Sequence, residues 1–539
     1  MEHVDFSQRT KELIDTIKGI CNDAGLGGDA NEYKIVTQGF LYKFLNDKFL
    51  HEVAQLDPGI TSATDLEKLS EDEYQRLLIK LGTRAAHLKA NHLLDYLFAH
   101  SNDAGFAKLF DNTLNDIAIE NSDVFSVHTS GDTEIRLFEE QLIQNSVNDR
   151  SQHDTTASKL INALANSKFD FDEIFNAGFD FFSTIFEYMI RDYNKDGGGK
   201  YAEYYTPHSI AHVMADILIG AENPTNVTVY DPAAGSGTLL MNTAHRIGAT
   251  NCTVYSQDMS QKSSNLLRLN LILNGLSHSI DHIVQGNTIT TPRHISQKFD
   301  YIVSNPPFKL DFSNDHDTIT SLPNVNERFF AGVPNVPKQD KDGMAIYLLF
   351  IQHILYSLSP TGKAAVVVPT GFITAQNGIE KKIRTKIVDS GWLKGVVSMP
   401  SNIFATTGTN VSILFIDKTN TGKVVLVDAS KLGKKIKDGK NQKTLLSTMD
   451  ESQIISAFGI KEPIEDFSVV LKYDEIKAKN YSLAAGQYFD IKIEHIDITP
   501  EEFATQLAEH KDNLNQLFAE SKSLEAEINE QLGKLKYGG

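Results

Sequence analysis

The sequence predicts an α/β protein: a doubly wound, mostly parallel sheet, preceded by a helical domain and followed by a helical tail. Three observations carry that expectation. After Tyr201, short β-rich runs recur, namely VTVYDPA, CTVYSQDM, FDYIVSNPP, KAAVVVPTG, LKGVVSMP, VSILFIDK and KVVLVDA. Several are separated by helix-length segments such as SGTLLMNTAHRIG and SQKSSNLLRLNLILNG, and such alternation marks strands joined by crossover helices. Before Tyr201 the apolar residues fall three and four apart, a helical period. Beyond Glu501 they fall at heptad spacing on a polar helix.

At 539 residues the chain is too long for one ordinary core and suggests roughly three units. A content of 41% hydrophobic and 22% charged residues is that of a globular protein. No run approaches the ~20 apolar residues of a membrane span, and MEHVDFSQRT lacks a signal-peptide pattern, so the expectation is a cytoplasmic protein without membrane contact. The two cysteines, Cys21 and Cys252, form no CxxC pattern, which argues against a disulfide framework or a thiolate metal site. Seventeen scattered histidines and the lack of HExxH or GxSxG leave no metal site or hydrolase motif to propose. The net charge of −19 argues against gripping nucleic acid by bulk electrostatics. A local basic face, or a basic partner subunit, would have to supply phosphate contacts.

From the N-terminus, ELIDTIKGICNDAG, EYKIVTQGFLYKFLNDKFLHEVAQL and EDEYQRLLIKLGTRAAHLKANHLLDYLFAH read as helices, giving a helical domain over 1–165, with the polar stretch NSVNDRSQHDTTASK read as a connection. The α/β domain is expected over 166–485. The segment 486–539 contains a helix with Leu507, Leu514, Ile528 and Leu535 on one series and Leu517 and Leu524 on the other, interrupted by Ser521 and Gln531. Such a stripe must be buried against something, either a partner or the chain's own N-terminal helices.

The strand ends carry the chemistry. Asp231-Pro-Ala-Ala-Gly-Ser-Gly237 follows TVY and opens the helix TLLMNTAHRI. Its glycines permit a tight turn and close approach of a ligand, with a helix N-terminus behind. It is not a Walker loop, and Gly197-Gly198-Gly199-Lys200 lacks the spacing and the hydroxyl. The next strand ends at Asp258, placed for the two hydroxyls of a ribose, or merely solvated. VQGNT brings Asn287, a candidate for an adenine amino group. FDYIVSNPPF then drops from a strand into Asn305-Pro306-Pro307-Phe308, which is either a strand stop or an active-site lip with an exposed aromatic.

These motifs resemble the S-adenosylmethionine-dependent adenine-N6 DNA methyltransferases, specifically the modification subunits of type I restriction-modification systems, over most of the chain. The resemblance implies a Rossmann-like methyltransferase sheet in the γ order, with cofactor motifs before the catalytic one. It makes DPAAGSG the cofactor loop and NPPF the catalytic loop. AEYYTP resembles a preceding motif usually written with Gly before Glu. EYKIVTQGFLYKFLNDKF, PTGFITAQNGIEKKIR, MPSNIFATTGTNVSILFIDK and NYSLAAGQY resemble further segments of the family. The implied S-adenosylmethionine contacts are Tyr204, Tyr205, Thr206, Asp231, Ala233, Gly235, Ser236, Gly237, Thr238, Asp258, Met259, Asn287 and Asn305, with Asp231 near the methionine end. Asn287 departs from the pattern, which commonly has Asp there. The implied partners are DNA, a specificity subunit and a restriction subunit, with two modification subunits per specificity subunit.

An exocyclic adenine nitrogen is a poor nucleophile, because its lone pair is delocalised into the ring. The Asn305 side-chain oxygen and the Pro306 carbonyl would accept its two N–H groups and free that lone pair, with Pro306 and Pro307 holding the acceptors rigid. Phe308 would stack on a flipped base, worth ~1–3 kcal/mol. The sequence leaves three other readings open: a self-sufficient adenine methyltransferase, a protein-glutamine or RNA methyltransferase, and a non-catalytic scaffold that keeps the fold.

Overall fold

The computed structural model describes residues 2–27, 30–82, 84–122, 127–128, 134–135, 137–167, 169, 171, 175, 206–404, 410–420, 422–438, 441–489 and 499–533. It divides into two units, Met1–Tyr488 and Phe489–Gly539.

The N-terminal part of the first unit is helical: α1 (Glu2–Asp23), α2 (Ala30–Leu56), α3 (Glu71–Leu81), α4 (Phe106–Glu120) and α5 (His153–Asn166), with shorter turns between them. The segment from Glu71 to His100 is not one helix. At Gly82 the chain takes φ +57°, a left-handed setting that ends α3 because an L side chain there is strained. The polar stretch read as a connection runs through a short turn of helix, Arg150–Gln152, into the first half of α5. Its polarity has structural uses: Asp154 accepts hydrogen bonds from the Gly105 and Ala107 N–H groups at 2.8 and 2.9 Å, satisfying orphan donors at the start of α4. Its other face buries Ala157, Leu160, Ile161 and Leu164. A two-residue pairing of Val127–His128 with Glu134–Ile135 is the β structure described in this part.

The rest of the unit is built on a nine-stranded sheet. Its strands are β1 (Val227–Asp231), β2 (Cys252–Asp258), β3 (Ile283–Gln285), β4 (Phe299–Ser304), β5 (Leu358–Pro369), β6 (Leu393–Ser398), β7 (Val411–Asp417), β8 (Val424–Asp428) and β9 (Ser468–Leu471). The spatial order is β3-β2-β1-β4-β5-β7-β6-β8-β9. Pairs along β3-β2-β1-β4-β5 are parallel, β7 runs antiparallel to both β5 and β6, β8 is parallel to β6, and β9 is antiparallel to β8. The central strands are apolar on both faces, Val366, Val367 and Val368 being fully buried, as a sheet covered on both sides requires. Each such side chain contributes ~1.5–3 kcal/mol on burial.

Three helices pack near β1: α6 (His208–Ile219), α7 (Thr238–Ile247) and α8 (Gln261–Leu273). The Arg246 Nε donates to Asp216 at 2.9 Å, tying α7 to α6. His212 bridges Asp216 and Glu451, joining α6 to α9 (Thr448–Ile460). Strand order reverses between β1 and β4, and in open α/β sheets the crevice at the carboxyl ends of such strands receives the ligand.

The second unit contains one long helix, α10 (Pro500–Gly533). Leu507, Leu514, Leu517, Leu524 and Ile528 on it are exposed, and Leu535 lies outside the described residues. Among the described residues no helix is long and apolar enough to cross a membrane.

Candidate functional site

The switch point between β1 and β4 holds an open depression of about 240 Å³ lined by Thr206, Asp231, Ala233, Ser236, Thr238 and Asn305, together with Ala234 and Leu239. Six expected site residues from three separate motifs thus meet at one place. Ala234 and Leu239 were not expected there, although both lie within or beside DPAAGSG.

Asp231 ends β1 and is almost fully buried. Its Oδ1 accepts from the Ala233 N–H at 2.9 Å and the Ser304 hydroxyl at 2.8 Å, and among the described residues it pairs with no cation. Burial pushes its carboxyl up to about 7, the neighbouring Asp258 adds to the rise, and the two hydrogen bonds oppose it. Asp258 accepts from the Gly235 N–H at 2.9 Å through Oδ2 and from the Ser260 N–H at 2.8 Å through Oδ1. Its carboxyl is also raised, chiefly by burial. Two carboxylates therefore flank a loop that offers no compensating charge.

The loop is shaped by its glycines. Gly235 and Gly237 take φ +53° and +86°, and a Cβ on Gly237 would stand 2.2 Å from Leu267 Cδ1. The Ser236 carbonyl accepts from Asn270 Nδ2 at 2.7 Å, and the Ser236 and Thr238 hydroxyls lie 3.3 Å apart. Thr238 begins α7, whose N-terminus carries a partial positive charge. Opposite the loop, Asn305 Nδ2 donates to Thr206 Oγ1 at 3.2 Å. Thr206 thereby engages the amide donor, and Asn305 Oδ1 accepts no hydrogen bond among the described residues.

The N-6 DNA methylase family matches residues 177–496 of this sequence. The chain belongs to that family. Among curated relatives, the methylase subunit of the type I restriction enzyme MpnII from Mycoplasma pneumoniae is 27% identical over 380 residues, 68% of this chain and 66% of that protein. The HindI methylase subunit of Haemophilus influenzae is also 27% identical, covering 66% of this chain and 79% of that protein. A type I methyltransferase subunit from Streptococcus thermophilus shares the fold, with a TM-score of 0.68 at 22% identity over 90% of this chain and 99% of that one. DNA methylation, the leading reading of the sequence, is thus the activity of the family to which the chain belongs.

In this N-6 DNA methylase several expected residues fall differently from the sequence reading. Asn287 is a turn cap. Its Oδ1 accepts from the Ile289 and Thr290 N–H groups at 2.9 and 3.3 Å, and its Nδ2 lies 3.5 Å from Asp315 Oδ2. The side-chain oxygen expected to meet an adenine is thus already engaged. Phe308 is half-buried, not exposed: it packs on the main core, edge-on to Tyr347 with ring centroids 6.3 Å apart. Pro306 is buried and Pro307 half-buried, and Met259 is exposed. Tyr204 and Tyr205 lie outside the described residues.

Beneath the N-6 DNA methylase site runs a buried network that no motif announced. Arg328 is fully buried. It donates to the Ile289 and Thr288 carbonyls at 2.7 Å each and through Nε to His353 Nδ1 at 3.0 Å. Burial, reinforced by Arg328, pushes the His353 imidazole well below its usual range, so the ring is neutral. Arginine can only donate, so Nδ1 accepts and the ring proton sits on Nε2, 3.2 Å from the Tyr230 hydroxyl. The Thr288 hydroxyl in turn donates to the Pro232 carbonyl at 2.7 Å. Tyr230 and Pro232, on either side of Asp231, are thereby held from below.

Proposed function

We propose that this chain transfers a methyl group from S-adenosylmethionine to the N6 amino group of adenine in DNA, as the modification subunit of a type I restriction-modification complex. The observation that carries the proposal is the meeting of Asn305, with its amide donor fixed on Thr206, and the uncompensated Asp231 carboxylate in one cleft.

The residues present fit the cofactor. A buried carboxylate without a cation suits an ammonium group, and the α7 N-terminus beside it suits a carboxylate, so the depression matches the zwitterionic end of an amino acid. Asp231, Gly235, Ser236, Gly237 and Thr238 would hold that end. Asp258 retains acceptor capacity for ribose hydroxyls, with Met259 beside it. Bound there, S-adenosylmethionine supplies an electrophilic methyl on a sulfonium. Asn305 Oδ1 and the Pro306 carbonyl would accept the two N–H groups of an extruded adenine and draw its nitrogen toward tetrahedral geometry, which frees the lone pair for attack. Phe308, braced against Tyr347, would present an edge or face to the base.

The partners we infer are DNA, a specificity subunit and a restriction subunit, with two modification subunits per specificity subunit. The relatives named as methylase subunits of type I restriction enzymes support a multisubunit assembly, and so does α10, whose apolar stripe is exposed among the described residues of its own unit. A DNA substrate implies a cytoplasmic location. Isothermal titration with S-adenosylmethionine tests the reading against a non-catalytic scaffold. Saturable one-site binding, weakened ~10-fold or more in Asp258→Ala by removal of a charged acceptor, is expected. No binding to the folded chain would overturn it.

A further inference from the structure

The chain carries a net charge of −19, yet between Lys431 and Thr444 six lysines accompany a single aspartate. They belong to an antiparallel ribbon, Lys434–Asp438 paired with Asn441–Leu445, which stands apart from the nine-stranded sheet. Lys431, Lys434, Lys435 and Lys437 are exposed. Elsewhere lysines such as Lys363 and Lys477 pair with carboxylates, whereas these four form no ion pair among the described residues. Along a strand successive side chains face opposite ways, so Lys435 and Lys437 share one face of the ribbon and Lys434 the other.

The ribbon's root is fixed. The Thr444 hydroxyl donates to the Ser401 carbonyl at 2.7 Å, and the Thr444 N–H donates to the Asn402 carbonyl at 3.0 Å. The chain enters the ribbon from the end of β8, where the Ala429 N–H donates to the Ser398 carbonyl at 2.9 Å. Gly433 takes φ +84°, and a Cβ there would stand 2.7 Å from Thr444 Cγ2 and 2.9 Å from the Leu445 carbonyl oxygen, so the two strands close tightly at their base. Both anchors lie just past the carboxyl ends of β6 and β8. β6 and β5 are each antiparallel to β7, so β6 and β8 point the same way as β5, β4 and β1. The ribbon therefore rises from the edge of the sheet that carries Asp231 and Asn305.

We propose that this lysine ribbon grips the phosphate backbone of duplex DNA beside the catalytic loop, without reading sequence. The inference rests on the DNA-methylation reading above. Asn305 follows β4 and the ribbon stands past β6, three strand positions away at the same end of the sheet, roughly 14 Å at the ~4.8 Å strand spacing, within reach of a duplex that offers a base to Asn305. A chain so acidic elsewhere repels a DNA backbone, and a ribbon whose lysines outnumber its carboxylates six to one attracts it by releasing counterions.

The test uses the full chain, a 30-base-pair duplex of arbitrary sequence read by fluorescence anisotropy across a salt series, and S-adenosylmethionine calorimetry in parallel. The triple variant Lys434→Ala, Lys435→Ala, Lys437→Ala should bind the duplex at least ~10-fold more weakly at low salt. Its slope of log affinity against log salt should be shallower by about 2–3, near 0.9 for each phosphate that a lysine no longer neutralises. Cofactor affinity and thermal midpoint should not move, and the triple Arg variant should keep the wild-type slope. Equal slopes for wild type and the Ala variant would overturn the proposal, and so would a wild-type chain that binds cofactor but no duplex; in both cases cofactor binding leaves the methyltransferase reading standing. Unchanged duplex binding with loss of a co-purifying partner subunit would also overturn it, assigning the ribbon to an acidic protein surface. A chain that binds neither duplex nor cofactor would defeat both readings together.

Discussion

Replacing Asp231 with Asn should make the cofactor-free protein more stable at pH 8 while weakening its hold on S-adenosylmethionine. The carboxyl is raised from an ordinary 3.8 to about 7, mainly by burial. Between those values the folded state keeps a proton that the unfolded state has released, so stability falls as pH rises through that window and stays lowered above it. A rise of about three units corresponds to ~4 kcal/mol at most. The amide keeps an oxygen for the Ala233 N–H and the Ser304 hydroxyl, but its new N–H₂ faces the cleft and offsets part of the gain, ~1–3 kcal/mol if poorly solvated. The net gain at pH 8 is therefore ~1–3 kcal/mol, a few degrees in thermal midpoint; it falls as pH drops through about 7 and reverses sign near pH 4, where only the cost of the amide N–H₂ is left. Differential scanning fluorimetry of both proteins from pH 4.5 to 8.5 measures it. A variant no more stable than wild type at pH 8, or a gain that does not depend on pH, would refute the argument that Asp231 is an uncompensated buried carboxyl. The same reasoning gives a ligand-linked effect: a cationic group that pairs with Asp231 binds more tightly as pH rises through about 7, with proton uptake by buffer visible in calorimetry.

Other positions give sharper structural tests. Gly237→Ala should lower cofactor affinity and cost ~1–3 kcal/mol of stability from the left-handed backbone and the Leu267 clash, and adding Leu267→Ala should recover only the clash. Arg328→Leu leaves two buried carbonyls and His353 without their donor, so thermal midpoint and cofactor affinity should fall together, by ~3 kcal/mol or more in stability; an unchanged midpoint would show that the fold does not depend on the network. His212 is raised to about 10 by its bonds to Asp216 and Glu451. Its contribution is therefore complete below about pH 6.5 and lost as pH rises through 10, and because the ring is half exposed it stays under ~1 kcal/mol. The midpoint difference between wild type and His212→Gln should be largest near pH 6 and fade by pH 10.

The periodic part of the fold was legible because its strands are doubly covered and so uniformly apolar. VTVYDPA, CTVYSQDM and VSILFIDK became β1, β2 and β7 with little change of boundary. Strand β9, with four residues at a sheet edge, is too short to show a period. Strand β5 begins at Leu358 and runs through SPTG, a turn-like sequence that falls in the register shift between the Leu358 and Lys363 pairings with β4. The stretch around Asp154 looked like a loop because capping and surface residues make the exposed face of α5 polar, while its buried face is Ala157, Leu160 and Ile161. At the site, contiguous motifs could be read because one loop places them: Asp231 to Thr238 is a single turn between β1 and α7. Arg328, His353 and Tyr230 come from three distant segments and converge only when the sheet forms. Asn287 has a local role that its position before a turn also allows, since an Asn there can satisfy its own following N–H groups, and those are what it binds. Phe308 follows two prolines in a loop, and nothing in the sequence revealed that Tyr347 would cover one side of it.

If Asn305 presents acceptors to an adenine amino group, base-resolution detection of methylation will report the loss of its side chain. The chain is co-expressed with its neighbouring operon products in a host lacking other adenine methyltransferases, and the host DNA is sequenced for modified bases. The account predicts N6-methyladenine at a single recurring sequence with the wild-type chain. With Asn305→Ala the modification rate should fall by about a hundredfold or beyond, the ~3 kcal/mol expected for one preorganised transition-state hydrogen-bonding group, while S-adenosylmethionine affinity stays near wild type. Undiminished N6-methyladenine with Asn305→Ala, or modification of a base other than adenine by the wild-type complex, would contradict it.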